Sequence, residues 1–134
     1  CTQYRDMLPP ELVPAFLAEQ RALIKYPASG KLMGDWKNGE KVFTDPKRGN
    51  CYACHQGDPR EVAYGTMGPS LTGYGQRGLS EAVVRYTYEK IYNAWAFVPC
   101  SLMYRGGVHG YFTPEETADL VAYLLSPESP INRR

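Results

Sequence analysis

Apolar positions recur at helical spacing in four stretches of the chain, and no segment alternates convincingly as a strand. The first stretch follows Pro9, Pro10 and Pro14. Pro14 suits the first turn of a helix running to about Tyr26, with Leu12, Phe16 and Leu23 on one face and Glu19 and Lys25 elsewhere. Pro27-Ala28-Ser29-Gly30 then forms a hinge. Asp35 caps a second helix through Phe43, with Gly39 and Phe43 four residues apart on one side. From Cys51 to Gly78 the chain reads as loop, punctuated by glycines at 57, 65, 68, 73, 75 and 78. Ser80 is a good N-cap for a third helix reaching Asn93 or Trp95, with Val84, Tyr88, Ile91 and Trp95 at helical spacing. A Gly-rich loop from Pro99 to Phe112 leads to Thr113-Pro114-Glu115-Glu116, a capping-box sequence. The last helix carries Leu120, Tyr123 and Leu124 inward and stops before Ser126-Pro127. The pattern predicts an all-α fold. Residues 1–30 form a helical extension that packs on the following domain or on a partner, and residues 31–134 form that domain.

Length and composition narrow the class. At 134 residues the chain suits one domain with one modest core. Apolar residues make up 43% and charged residues 22%, which excludes a disordered tail. The apolar runs, such as Leu120–Leu125, fall far short of the roughly 20 residues of a transmembrane helix. Fifteen Lys and Arg against fourteen Asp and Glu leave a formal charge of +1, which argues against a nucleic-acid arm or a polybasic membrane anchor. Cys1 is followed directly by polar residues rather than by a signal-peptide pattern. The expectation is therefore a processed chain or a cytosolic protein.

Chemistry is concentrated in Cys51-Tyr52-Ala53-Cys54-His55, the C-x-x-C-H sequence of covalent c-type haem attachment. Two thiols three residues apart on one turn can reach two vinyl groups on one porphyrin edge, and the following His supplies the proximal nitrogen. A dithiol redox site would want a βαβ context, and a zinc site would want a second Cys/His pair nearby. Neither is present in the pattern. A Cys51–Cys54 disulfide would leave His55 unexplained. Pro69, in Gly68-Pro69-Ser70-Leu71, offers a backbone carbonyl to the second imidazole nitrogen and so fixes the tautomer.

The distal iron ligand has three candidates downstream: Met67, Met103 and His109. Met103 lies in the loop before the last helix, where a thioether can approach iron without helical constraint. Met67 adjoins the segment assigned to the proximal side, and His109 would give a lower potential than a thioether. With His55 and Met103 both on iron, no position is open to substrate, which suits an electron carrier. Phe43, Leu71, Tyr88 and Trp95 are expected to bury the group. No Ser/His/Asp set or paired-carboxylate arrangement emerges, and Glu115 and Glu116 serve the helix cap.

The order Gly39…Phe43, Cys51-x-x-Cys54-His55, Gly68-Pro69-x-Leu71-x-Gly73, Met103 and Leu120-x-x-Tyr123-Leu124 resembles the class I cytochromes c. That resemblance implies their fold, with first and last helices crossing at Gly39/Phe43 and Leu120/Tyr123. It implies one covalent haem c held by Cys51, Cys54, His55, Pro69, Leu71 and Met103. More narrowly, Gly49–His55, Gly65–Leu71 and the tail Val121–Asn132 look like SoxX, the monohaem subunit of the SoxAX cytochromes of thiosulfate oxidation. This likeness implies a heterodimer with a SoxA-like haem subunit that carries the active site, action on the SoxYZ carrier, and a downstream cytochrome as acceptor. The sequence departs from the family after Met103, where Tyr104-Arg105-Gly106-Gly107 replaces the usual Met-Pro and aromatic-Gly pattern. A free-standing periplasmic shuttle, or a haem catalyst or gas sensor with a displaceable Met, are the alternative functions.

Haem attachment leaves Cys1 and Cys100. In an oxidising periplasm two spare thiols pair, which would pin the extension beside the Met103 loop. Alternatively Cys1 carries a lipid, or the thiols stay free or join another chain.

Overall fold

The computed structural model describes residues 1, 7–60 and 64–133. Among them are four α-helices and no strand: α1 (Val13–Ala22), α2 (Trp36–Thr44), α3 (Glu81–Tyr92) and α4 (Pro114–Leu125). Short 3-10 turns at Pro10–Leu12, Cys51–Ala53, Tyr74–Arg77, Ala94–Ala96 and Pro130–Asn132 punctuate the connections. The all-α expectation holds.

Three of the helices start where side chains satisfy the free N–H groups of the first turn. Asp35 accepts from Lys37 N at 3.0 Å, and Ser80 Oγ accepts from Val83 N at 3.3 Å. Thr113 and Glu116 form the reciprocal capping box, at 3.1 and 3.0 Å. Each such cap stabilises its helix by about 1 kcal/mol. α1 has no side-chain cap and ends at Ala22, short of Tyr26. There Leu23 N and Ile24 N bond three residues back, to Gln20 O and Arg21 O, and Pro27 disfavours helical backbone at Tyr26. Tyr26 instead stacks on Tyr88, with ring centroids 5.5 Å apart.

The core is built on a crossing of α2 and α4. A Cβ at Gly39 would lie 2.0 Å from Asp119 O and 2.9 Å from Tyr123 Cβ, so only glycine lets the two backbones approach this closely. One turn on, the Phe43 and Tyr123 rings meet at 5.0 Å. Asp119 fixes the register: its Oδ1 accepts from Asp35 N and its Oδ2 from Asn38 Nδ2, both at 2.7 Å. Leu120, Val121, Tyr123, Leu124 and Leu125 are buried together with Tyr88, Ile91 and Tyr92 of α3. After α4, Asn132 ties the tail down by donating to Leu124 O and Ser126 O and accepting from Gly75 N at 2.7 Å.

The extension does not bury the face that hydrophobic periodicity selects. Leu12 and Leu23 are 39% and 40% exposed, while Gln20 is only 5% exposed. Phe16 does face inward, against Trp95 at 5.9 Å. Gln20 turns inward because its partners are polar: Asn93 Nδ2 donates to Gln20 O at 2.8 Å and to Oε1 at 3.1 Å, and Arg105 Nη1 donates to Oε1 at 3.0 Å. Among the described residues, no helix is long and apolar enough to cross a membrane.

Candidate functional site

Between the 51–78 loop, α3, α4 and the Met103 loop lies a cavity of about 420 Å³. Cys51, Cys54 and His55 form one part of its wall. Asn50, in left-handed conformation at φ 51°, starts the 3-10 turn Cys51–Ala53. The Cys51 carbonyl then accepts from both Cys54 N (3.1 Å) and His55 N (2.9 Å), which brings the three side chains onto one turn.

The segment 65–71 runs beside this turn and orients the imidazole. Gly65 N bonds Tyr52 O, Gly68 N bonds Cys54 O, and Leu71 N bonds Gln56 O, at 2.8, 2.8 and 2.7 Å. Two glycines make the approach possible. A Cβ at Gly65 would meet Ala53 O at 1.6 Å, and one at Gly68 would meet the His55 ring at 2.2 Å. Pro69 O consequently stands 2.7 Å from His55 Nδ1. Nδ1 donates its proton there, so the lone pair for a metal resides on Nε2.

Neither Cys51 nor Cys54 is in a disulfide. Burial pushes the Cys51 thiol up to about 12. Phe43, Leu71, Leu120 and Leu124 supply apolar wall, and Met103 lines the same cavity. Met67 also reaches it but is 73% exposed, beside the Gly68 that packs on His55. His109 lies outside, lining a separate cavity of about 360 Å³ with Trp95, Cys100 and Arg105. Met103 N donates to Ser101 Oγ at 3.2 Å, and Ser101 O accepts from Trp95 Nε1 at 3.0 Å. Three residues before Met103, Cys100 is joined to Cys1, with Cα atoms 5.6 Å apart.

Two of the four expected wall residues lie elsewhere. Tyr88 is fully buried, but its hydroxyl donates to Lys25 O at 2.6 Å and its ring stacks on Tyr26. Trp95 sits in the second cavity, between Phe16 and Arg105. The extension supplies both with partners, and helical periodicity cannot reveal that. Sequence reasoning also missed Tyr104, whose hydroxyl donates to Gly49 O, and the two cations of the cavity, Arg77 and Lys90. Lys90 stands four residues after Tyr86 on α3, a spacing that places both on one face. No carboxylate lines the cavity among the described residues.

The family profile described as "Cytochrome c" matches residues 36–127, which span α2, the Cys51–His55 turn, α3 and α4. The chain belongs to the cytochrome c family. It is 51% identical over 134 residues to an uncharacterized lipoprotein of Aquifex aeolicus (strain VF5), covering 90% of this chain. The chain spans 64% of that curated relative's length. Among solved structures, this cytochrome is similar to SoxXA from P. pantotrophus, with a TM-score of 0.51 and 25% identity. That match covers 70% of this chain and 82% of the other.

A c-type cytochrome carries covalent haem c and transfers electrons, and the residues here fit that group. Two unpaired thiols and an imidazole with its Nδ1 already engaged face one cavity. Arg77 and Lys90 give the cavity the sign of charge that a porphyrin bearing two propionates requires. When bound, the haem supplies reversible one-electron chemistry. The protein's own part is to fix the imidazole plane through Pro69 O and Gly68, to exclude water with Phe43, Leu71, Leu120 and Leu124, and to balance charge.

Proposed function

We propose that this cytochrome is the SoxX-type electron-transfer subunit of a SoxAX-like complex, receiving electrons released when thiosulfate is joined oxidatively to a SoxYZ carrier. Its partners are then a SoxA-like haem subunit, which carries the active site, the SoxYZ carrier and a downstream electron-accepting cytochrome. The likeness to SoxXA, together with the tail that Asn132 docks, supports this assignment. Residues 31–134 are the electron-transfer domain and residues 1–30 its N-terminal extension, which packs on that domain through Phe16, Gln20 and Tyr26.

One observation carries the relay reading: Met103 and His55 line the same cavity. In this reading Cys51 and Cys54 make the thioethers, His55 is the proximal ligand and Met103 the distal one. With His55 and Met103 both holding the iron, no position would be open to substrate, and the group would serve to pass electrons. Replacing Met103 with Leu tests the assignment. The far-red thioether–iron absorption of the oxidised protein should vanish, and its survival would point to Met67. Rapid carbon monoxide binding to the reduced wild-type protein would instead indicate an exchangeable ligand, as in a gas sensor. Co-purification of a second haem subunit distinguishes the complex from a free-standing shuttle.

The setting that suits this work is the periplasm, where a Cys1–Cys100 bridge is stable. The relative's description as a lipoprotein raises a membrane-tethered form. A thiol in a disulfide cannot also bear a diacylglycerol, so the intact mass of the native protein separates the two. A mass two hydrogens below the reduced holoprotein supports the bridge, and a mass increased by a diacylglycerol supports the tether.

A further inference from the structure

The N-terminal extension meets the Met103 loop at two points, and they bracket Met103. Upstream, Cys1 is joined to Cys100. Downstream, Arg105 Nη1 donates to Gln20 Oε1 at 3.0 Å while the guanidinium lies 4.0 Å over the Trp95 ring. The same Gln20 Oε1 accepts from Asn93 Nδ2 at 3.1 Å. Asn93 Oδ1 in turn accepts from Trp95 N at 3.2 Å, and Trp95 Nε1 donates to Ser101 O at 3.0 Å. Ser101 Oγ then receives Met103 N. Gln20 of α1 is therefore linked to Met103 N upstream, by hydrogen bonds relayed through Asn93, Trp95 and Ser101, and to the Arg105 side chain two residues downstream.

We propose that Gln20 is a positioning residue for the distal ligand: through Arg105 and Asn93 it holds the Met103 loop closed over the haem cavity. This rests on Met103 as the distal donor. The physical case is the shared acceptor. Gln20 is 5% exposed, so its single Oε1 serves two donors away from competing water, and one of them is a cation. Without that acceptor the buried Asn93 amide keeps only the Gln20 backbone carbonyl and the Arg105 guanidinium loses its hydrogen bond to the extension, so the disulfide becomes the remaining tie between the extension and the loop of residues 100–105. The glycines that follow, Gly106 and Gly107, are packed against Phe112 and Tyr92, so the loop is anchored beyond Arg105 and has only this short span in which to open.

The test compares holoprotein variants Gln20→Leu, Gln20→Glu and Arg105→Leu, with Met103→Leu as control. Two quantities are read: the rate of carbon monoxide binding to the reduced protein, and the temperature at which the far-red thioether absorption is lost, set beside the far-UV circular dichroism transition. Gln20→Leu and Arg105→Leu should speed carbon monoxide binding by about tenfold, the factor equivalent to one hydrogen bond to a charged group. They should also lose the thioether absorption well below the temperature of global unfolding. Gln20→Glu keeps an acceptor for both donors and should behave as wild type. The inference is overturned if Gln20→Leu leaves carbon monoxide binding unchanged, if band loss and unfolding still coincide in it, or if Gln20→Glu behaves like Gln20→Leu. Should Gln20→Leu fail to fold, Arg105→Leu decides by the same two readings. A thioether band that survives in Met103→Leu overturns the ligand assignment and this inference together. A band lost in Met103→Leu with Gln20→Leu unaltered overturns the inference alone.

Discussion

His55 Nδ1 lies 2.7 Å from the carbonyl oxygen of Pro69. Because the acceptor is backbone, the bond depends on the path of the loop and not on the proline ring. That path depends on Gly68, where a Cβ would stand 2.2 Å from His55 Cε1 and 2.6 Å from Nδ1. Gly68→Ala should therefore turn the imidazole or lift the loop. We expect haem still to be attached, with a mixed-spin absorption spectrum and a shifted potential, whereas Pro69→Ala leaves both close to wild type. Optical spectra of the two purified holoproteins decide it.

At the helix crossing, the expected effect is on stability. An added methyl at Gly39 meets the Asp119 carbonyl at 2.0 Å, and that carbonyl belongs to helix backbone that cannot step aside. Gly39→Ala should cost roughly 3 kcal/mol, the upper end for overpacking a tight interface. Urea unfolding of the holoprotein measures it. A loss below about 1 kcal/mol would mean that α2 and α4 slide apart without penalty.

Lys90 is the more informative of the two cavity cations. Burial lowers its pKa, so the site holds the charge at some cost. A cation beside the haem favours the reduced state, which carries one more negative charge. Lys90→Gln should accordingly lower the reduction potential by roughly 40 mV, the equivalent of about 1 kcal/mol for one electron. Potentiometric titration at low and moderate salt reads it, and an unchanged potential would remove Lys90 from the charge balance.

Alkaline stability follows from buried phenols. Burial raises the Tyr88 pKa from its ordinary 10.0, with Tyr92 and Glu115 adding to the effect. Folding thus tightens this proton. The stabilisation is complete below pH 10.0 and is lost as pH climbs above that value. Tyr88→Phe removes the hydroxyl that donates to Lys25 O, costing about 1 kcal/mol near neutrality. It should also flatten the fall of stability above pH 10.0, although not abolish it, since Tyr26, Tyr92 and Tyr104 are raised as well. Urea midpoints across the alkaline range test the change in slope.

Legibility in the sequence follows the range of the interaction. Asp35, Ser80 and Thr113 announce α2, α3 and α4 because a cap and the N–H it accepts from are two or three residues apart. The Cys51–His55 turn is equally local, and the helix crossing shows through Gly39 and the apolar residues Phe43, Leu120 and Tyr123. The extension is opaque for the opposite reason. The buried residue of α1 is Gln20, selected by Asn93 and Arg105 more than seventy positions away. Hydrophobic periodicity reports burial only where the partner is apolar, so it chose Leu12 and Leu23, which lie open. Tyr88 and Trp95 were misplaced for the same cause: the segment before residue 31 occupies them. Among the distal candidates, sequence separation alone could not distinguish Met103 from His109, because that needs the walls of two different cavities.

The α2–α4 crossing also sets an order of assembly. It joins Gly39 to Asp119 and Tyr123, so it cannot form until nearly the whole chain is available. Contacts this distant in sequence are late events in folding. The Cys51–His55 turn lies between the two helices, and its cavity is roofed by Leu120 and Leu124 of the second. The cavity wall is therefore incomplete until α4 has docked on α2.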